Sequence, residues 1–264
     1  MKAIHGGKAK DDKIDSHKLA AMLRGGMFPL AYTYPREMRA ARDLTRRRLF
    51  FVNKRAELFK HISMTHQQYN VKLDSSTLRL KRQSNIEKFT NPFQDRSVQR
   101  MIEGDLYLIE HYNVEIRKLE WFIWKVAQED SANAFDLAIL KTTPGIGDIL
   151  STTLLYEIHT VDRFPTVQHF SSYARLIKPK KTSAGKSAGS GGGKIGNQHL
   201  KWALSEAAVL LLRNSEKAKE YLKRLERKHP KGKAMSVLSH KLGKAVYFML
   251  LKQEGFNQNK FFAH

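Results

Sequence analysis

The feature that most constrains this chain is a run of apolar residues at heptad spacing between residues 98 and 126. Val98, Asp105, Tyr112, Leu119 and Val126 form one row, and Ile102, Ile109, Ile116 and Ile123 form the other. Two such positions in every seven residues predict a long helix that must bury one stripe against another helix. Asp105 is the mismatch in the seam. Two covers are open: residues 36–69 of the same chain, folded back as a hairpin, or a second copy, giving a homo-oligomer through the coiled coil. The first has the right pattern. Pro35 opens a segment to about Asn70 with Met38, Ala41, Val52, Ala56, Phe59 and Ile62 at helical spacing. Its Arg46, Arg47 and Arg48 read either as phosphate-facing or as an ordinary solvated face. Residues 71–94 lose the period and end in Asn91-Pro92, which predicts a connector.

The C-terminal half predicts a compact all-helical unit. An apolar-rich helix, Asp148 to His159, follows the tight turn Pro144-Gly145-Ile146-Gly147. Turns of this helix-hairpin-helix kind let Gly145 and Gly147 bring backbone amides close to a DNA phosphate, although any helix-to-helix turn has the same composition. Asn197 caps a helix with Leu200, Ala203, Ala207, Leu210 and Leu211 on its buried side. Helices over about Glu216–Lys228 and Met235–Lys252 follow, the latter with Leu238, Leu242, Ala245 and Met249 inward. Residues 256–264 are expected to be a loosely held tail.

Between these helices lies Lys181 to Lys201, KTSAGKSAGSGGGKIGNQHLK, too poor in apolar residues to build core. It reads as a loop whose backbone approaches an anion, or as a plain solvated loop. Two nucleotide motifs fail here. A phosphate-binding loop needs a glycine where Lys180 stands, and no apolar strand precedes the chance match at Gly191, Gly193 and Gly196. What remains is three serines, Ser183, Ser187 and Ser190, in a cationic setting. A serine hydroxyl attacks a phosphodiester usefully only where charge on the phosphate oxygens is stabilised, as Lys186, Lys194, Lys201 and the helix start at Gly196-Asn197 could do.

Composition supports an anionic partner. Lys and Arg number 47 against 25 Asp and Glu, a formal net charge of +22 spread along the chain. That suits nucleic acid first. No apolar run approaches the ~20 residues of a spanning helix, so no membrane partner is expected. The absence of cysteine and of a signal-like N-terminus fits a cytoplasmic protein. Near the start, Asp12, Asp15, Leu19 and Leu23 share one side of a helix that Gly25 and Gly26 end. The two carboxylates could share a divalent cation, or simply favour the helix dipole.

The segments TTPGIGDILSTTLLYEI, DRF, SYARLIKP, SAGK and KIGNQHLKWALSEAA, in that order, resemble the C-terminal transposase domain of the IS-one-ten family of insertion-sequence transposases. The start, KAKDDKIDSHKLAAMLRGG, resembles the end of that family's RuvC-like domain. The resemblance implies a mainly α chain: a RuvC-like remnant over residues 1–35, long coiled-coil helices over 36–135, and a transposase domain over 136–255. It selects Ser183 as nucleophile, thirteen residues before Gly196, and matches Asp12 and Asp15 to the last two of four carboxylates that hold a divalent cation, Mg2+. It also implies DNA as substrate, a noncoding bridge RNA that reads sequence by pairing, and a bacterial, nucleoid-associated setting. Asp12 lies eleven residues after Met1, which leaves no room for the two upstream carboxylates. The expectation is a truncated copy whose alternative role is a catalytically incomplete nucleic-acid-binding remnant.

Overall fold

The computed structural model describes residues 11–28, 31–72, 91–177, 180–183, 185–190 and 195–263. The chain divides into two units, residues 1–35 and residues 36–264. In the first, helix α1 (Asp12–Arg24) starts at Asp11, whose side chain accepts from the Lys13 N–H, and carries Asp12 and Asp15 in its first turn. Gly26, at φ +63°, helps end it. A left-handed residue just past the last turn lets the chain leave the helix without a Cβ penalty.

The second unit begins with two long helices, α2 (Arg36–Gln68) and α3 (Arg96–Glu129). At 33 and 34 residues each is about 50 Å long at 1.5 Å per residue. They pack on one another within the chain. Arg48 pairs with Glu120, Arg55 donates to Asn113 Oδ1 at 2.7 Å, and His61 Nδ1 meets Asp105 Oδ2 at 2.5 Å. The partners descend one helix as they climb the other, so the pair is antiparallel. The seam mismatch at Asp105 is thereby answered by His61. The Ile102–Ile123 row is buried as its spacing predicts. The other row is shifted: Leu106, Asn113 and Ala127 are buried in place of Asp105, Tyr112 and Val126. On α2, Phe59 and Ile62 are buried while Ala56 is exposed. Because α2 covers the isoleucine seam, an oligomer must use another face. The expected connector falls mostly on residues 73–90, outside the described residues; Phe93, just after it, is buried against His66 and Tyr69.

Helices α4 (Ser131–Lys141) and α5 (Asp148–Ile158) follow, then a short 3-10 turn (Val161–Arg163) and α6 (Val167–Tyr173). The expected boundary between residues 135 and 136 falls inside α4. Its Leu137 packs with Ile123 of α3 and Leu155 of α5. Every residue from Leu150 to Ile158 is buried, so α5 is surrounded on all sides. A helix buried on every side has to sit inside a domain, and the polar Ser151, Thr152, Thr153 and Glu157 are buried with it. The remaining helices are α7 (Gln198–Asn214), α8 (Glu216–Glu226), α9 (Lys231–Lys252) and α10 (Gln258–Phe262). Leu154, Phe170, Leu204, Leu238, Leu242 and Val246 form the heart of their core. Among the described residues no helix is long and apolar enough to cross a membrane.

Two expectations are corrected. The segment after Ile177 is not merely a loop: β1 (Lys180–Ser183) and β2 (Lys186–Ser190) form an antiparallel hairpin. The described part of the expected tail, residues 256–263, is tied to the core. The Phe256 N–H donates to Thr142 Oγ1 at 2.7 Å, Lys217 Nζ donates to Asn259 Oδ1, and Phe261 is buried in the main core. Three phenylalanines in nine residues supply apolar area that outweighs the entropy of ordering a chain end.

Candidate functional site at the base of the hairpin

The hairpin hangs from a tightly tied base. In its ladder Ser183 pairs with Lys186 across the reversal, where Gly185 takes φ +75°. Ser183 is therefore the last residue of β1 and lies opposite the lysine that opens β2; Lys186 is exposed. Below the strands, α6 ends in Arg175 at φ +55°, and Leu176 N–H returns to Ser171 O at 2.9 Å. Arg175 Nε donates to Gly196 O at 2.9 Å, and Asn197 N–H donates to Tyr173 O at 2.6 Å. These two bonds join the chain entering the hairpin to the chain leaving it.

Gly196 is fixed by space as well as by angle. It has φ +95°, and a Cβ there would lie 2.5 Å from Tyr173 O. Asn197 is buried and caps α7: its Oδ1 accepts from the His199 and Leu200 N–H groups. Its Nδ2 donates to Glu157 Oε2 at 2.7 Å. All of these Asn197 groups are committed within the protein, so Asn197 anchors the hairpin and α7.

Glu157 is the hub that the sequence did not reveal. Its side chain is 0% exposed, and its two oxygens accept from Arg46 Nε at 2.6 Å and Nη2 at 2.8 Å. This two-pronged pairing is the geometry that makes an arginine–carboxylate bond strong and directional. It links α2, through α5, to the start of α7. Arg163 donates to Glu157 O at 3.2 Å and stacks on Tyr173 at 4.7 Å. The signals available were a lone acid in an otherwise uncharged stretch of α5 and one arginine within a run of three. Arg46 and Arg48 are both engaged internally, with Glu157 and Glu120.

His199 stands beside this cluster. Burial holds its pKa below the usual histidine value, and the charges of Arg46, Arg42 and Arg175 add to that, opposed by Glu157. Burial also lowers His159 and His240, helped by Arg163 and Lys244. Each is thus kept neutral when folded and takes up a proton more readily when unfolded. The sign follows: their contribution is complete above about pH 6.5, the unfolded histidine value, and is lost as pH falls toward the lowered folded values. The melting temperature is expected to decline between about pH 7 and 5; replacing His199 with glutamine should shrink that decline.

The other expected site residues lie elsewhere. Gly145 also has φ +95°, but a Cβ there would meet the Leu210 and Leu211 backbone at 2.7 Å. Its smallness lets it pack on α7. Gly147 starts α5 with open space around it, and Lys141 pairs with Asp148 next to it at 2.6 Å. Since Gly145 abuts Leu210 while Asn197 caps the other end of α7, about 18 Å of helix rise separates them. They do not form one site. Lys201 is exposed in the first turn of α7, and Lys194 lies outside the described residues. Asp12 and Asp15 are on α1 in the first unit, and no group of three or more acidic or histidine side chains fit to hold a metal occurs among the described residues. Mg2+ is held by one or two carboxylates with water and substrate phosphates completing its shell, so these two would supply only the protein's share of a site.

Residues 137–223, from α4 to α8, match the family model described as Transposase IS116/IS110/IS902 family. Over those residues the chain is similar to this transposase family. The matched segment contains Glu157, the whole hairpin and Asn197, while Arg46 reaches into it from outside. A search of curated proteins found no match.

Proposed function

We propose that this chain acts as an insertion-sequence transposase that breaks and rejoins DNA phosphodiesters with Ser183 as nucleophile. The observation that carries the reading is the family match over a segment whose centre is the anchored hairpin, with Ser183 laddered to Lys186. In the step, Ser183 Oγ bonds to phosphorus, the bond from phosphorus to one deoxyribose oxygen breaks, the serine proton leaves to solvent or a base, and that deoxyribose oxygen gains a proton. Attack by a second strand's hydroxyl reverses the exchange and frees the serine. Exposed Lys186 offers a cation for the charge that develops on the phosphate oxygens. A divalent cation, Mg2+, would supply Lewis-acid stabilisation, and Asp12 and Asp15 are the carboxylates this chain offers it. A noncoding bridge RNA is the proposed source of sequence recognition, which suits a strongly basic protein.

A second reading, nucleic-acid binding without catalysis, is favoured by the lack of a complete carboxylate group among the described residues. Both readings require phosphate contacts. Affinity for duplex DNA is expected to fall about 10³-fold or more between 50 and 200 mM salt if about six phosphates are neutralised. A flat salt response in a fluorescence-anisotropy titration would contradict both.

A further inference from the structure

A groove of about 390 Å³ lies between α9 and the segment that leads into α10. Its volume falls in the range of roughly 300–1,000 Å³ that holds small-molecule-sized groups. Met249, Phe256 and Phe261 line its apolar side, and Phe248 stands in the same groove with 42% of its surface exposed. Lys241, Lys244, Lys252 and Lys260 surround these side chains; Glu254 is the acid among the lining residues. Neither the hairpin nor its base contributes to it.

The order of residues along α9 is informative. Lys244, Phe248 and Lys252 follow at steps of four residues, so they stack on one face of the helix, one turn apart. An exposed aromatic ring between two cations is the pattern that receives a base flanked by phosphates. The positive charge is also crowded. Lys241 has its pKa lowered by burial and by Arg224 and Lys244, and His240 is lowered by burial and Lys244. A bound phosphate would relieve this repulsion. A duplex keeps its bases stacked inside, so only an unpaired base can enter the groove and lie on Phe248.

We propose that the α9–α10 groove binds a single-stranded nucleic-acid segment, with an unpaired base on Phe248 and its phosphates on Lys244 and Lys252. This rests on the nucleic-acid reading above and adds a second, non-catalytic site to it. The chemistry is common to RNA and DNA, and the test separates them.

The unaltered full chain and its variants are titrated against a fluorescent 15-nucleotide RNA, the same sequence as single-stranded DNA, and the corresponding DNA duplex. Phe248→Ala is expected to weaken binding to at least one single strand by about tenfold or more, as loss of one stacked base does, and to leave the duplex within about twofold. Phe248→Trp should restore single-strand binding. The double variant Lys244→Gln, Lys252→Gln should flatten the single-strand salt slope by about 1.4, for two phosphates lost. The single strand that loses affinity identifies the ligand. Unchanged single-strand binding in Phe248→Ala, an equal loss on the duplex, or displacement of the oligonucleotide by polyglutamate at equal charge would overturn the groove assignment while the wider reading stands. Failure of the unaltered chain to bind any of the three would overturn both.

Discussion

Replacing Arg46 with alanine is expected to destabilise the second unit by about 3 kcal/mol, a drop of roughly 6–12 °C in melting temperature for a domain of this size. The reason is the carboxylate it leaves behind. Glu157 is 0% exposed, and Arg46 supplies the two-pronged cationic fork on its oxygens, beside the neutral amide of Asn197. Removing one partner of a buried ion pair costs about 3–5 kcal/mol; the lower end applies because Arg46 is itself 35% exposed, so water can follow its removal. Arg46→Lys keeps the charge but not the two-pronged fork and should lose less. Changing both Arg46 and Glu157 to apolar residues should recover much of the loss, since no lone charge then remains. A double-variant cycle by thermal melting measures this. Equal losses in Arg46→Ala and in the double variant would show that the carboxylate left behind is not the source of the loss.

Gly196→Ala is expected to open the base of the hairpin. Its Cβ would sit 2.5 Å from Tyr173 O and 3.2 Å from Ser172 O, both backbone atoms, at φ +95°. Relief requires parting Asn197 N–H from Tyr173 O, which also loosens the Asn197 cap on α7. Backbone strain of about 1–2 kcal/mol, one hydrogen bond of about 1 and a cap of about 1 bring the loss to about 3–4 kcal/mol. Gly185→Ala makes the comparison sharp. Gly185 has φ +75° but nothing within 4 Å of its Cβ position, so only the strain applies. Hydrogen exchange should therefore quicken at the first turn of α7 in Gly196→Ala and stay near normal there in Gly185→Ala. Equal behaviour would mean that space at Gly196 does not matter.

These residues show where sequence reading reached and where it stopped. The helices were legible because burial imposes a period, and the Ile102–Ile123 row needed nothing more than spacing. Whether a second helix or a second chain covered that row was not legible, since either satisfies the same stripe; the His61–Asp105 and Arg48–Glu120 pairs settle it for α2. The hairpin escaped because its strands are built of Lys, Ser, Thr, Ala and Gly, without the β-branched alternation that announces a strand. Gly145 and Gly196 were recognisable as special glycines, yet only coordinates show that each is filled by backbone of its own domain. The Arg46–Glu157 pair lies 111 residues apart, and Arg46 is indistinguishable in sequence from its neighbours Arg47 and Arg48.

We propose that the anchored hairpin presents Ser183 to DNA. The direct measurement is covalent trapping: the chain is incubated with a nicked DNA substrate and Mg2+, and any protein–DNA adduct is digested and located by mass spectrometry. The account predicts a nucleotide linked through phosphate to Ser183, formed by the unaltered chain and by Ser187→Ala and Ser190→Ala, and absent from Ser183→Ala. An adduct that persists in Ser183→Ala, or that maps to Ser187 or Ser190, would contradict it.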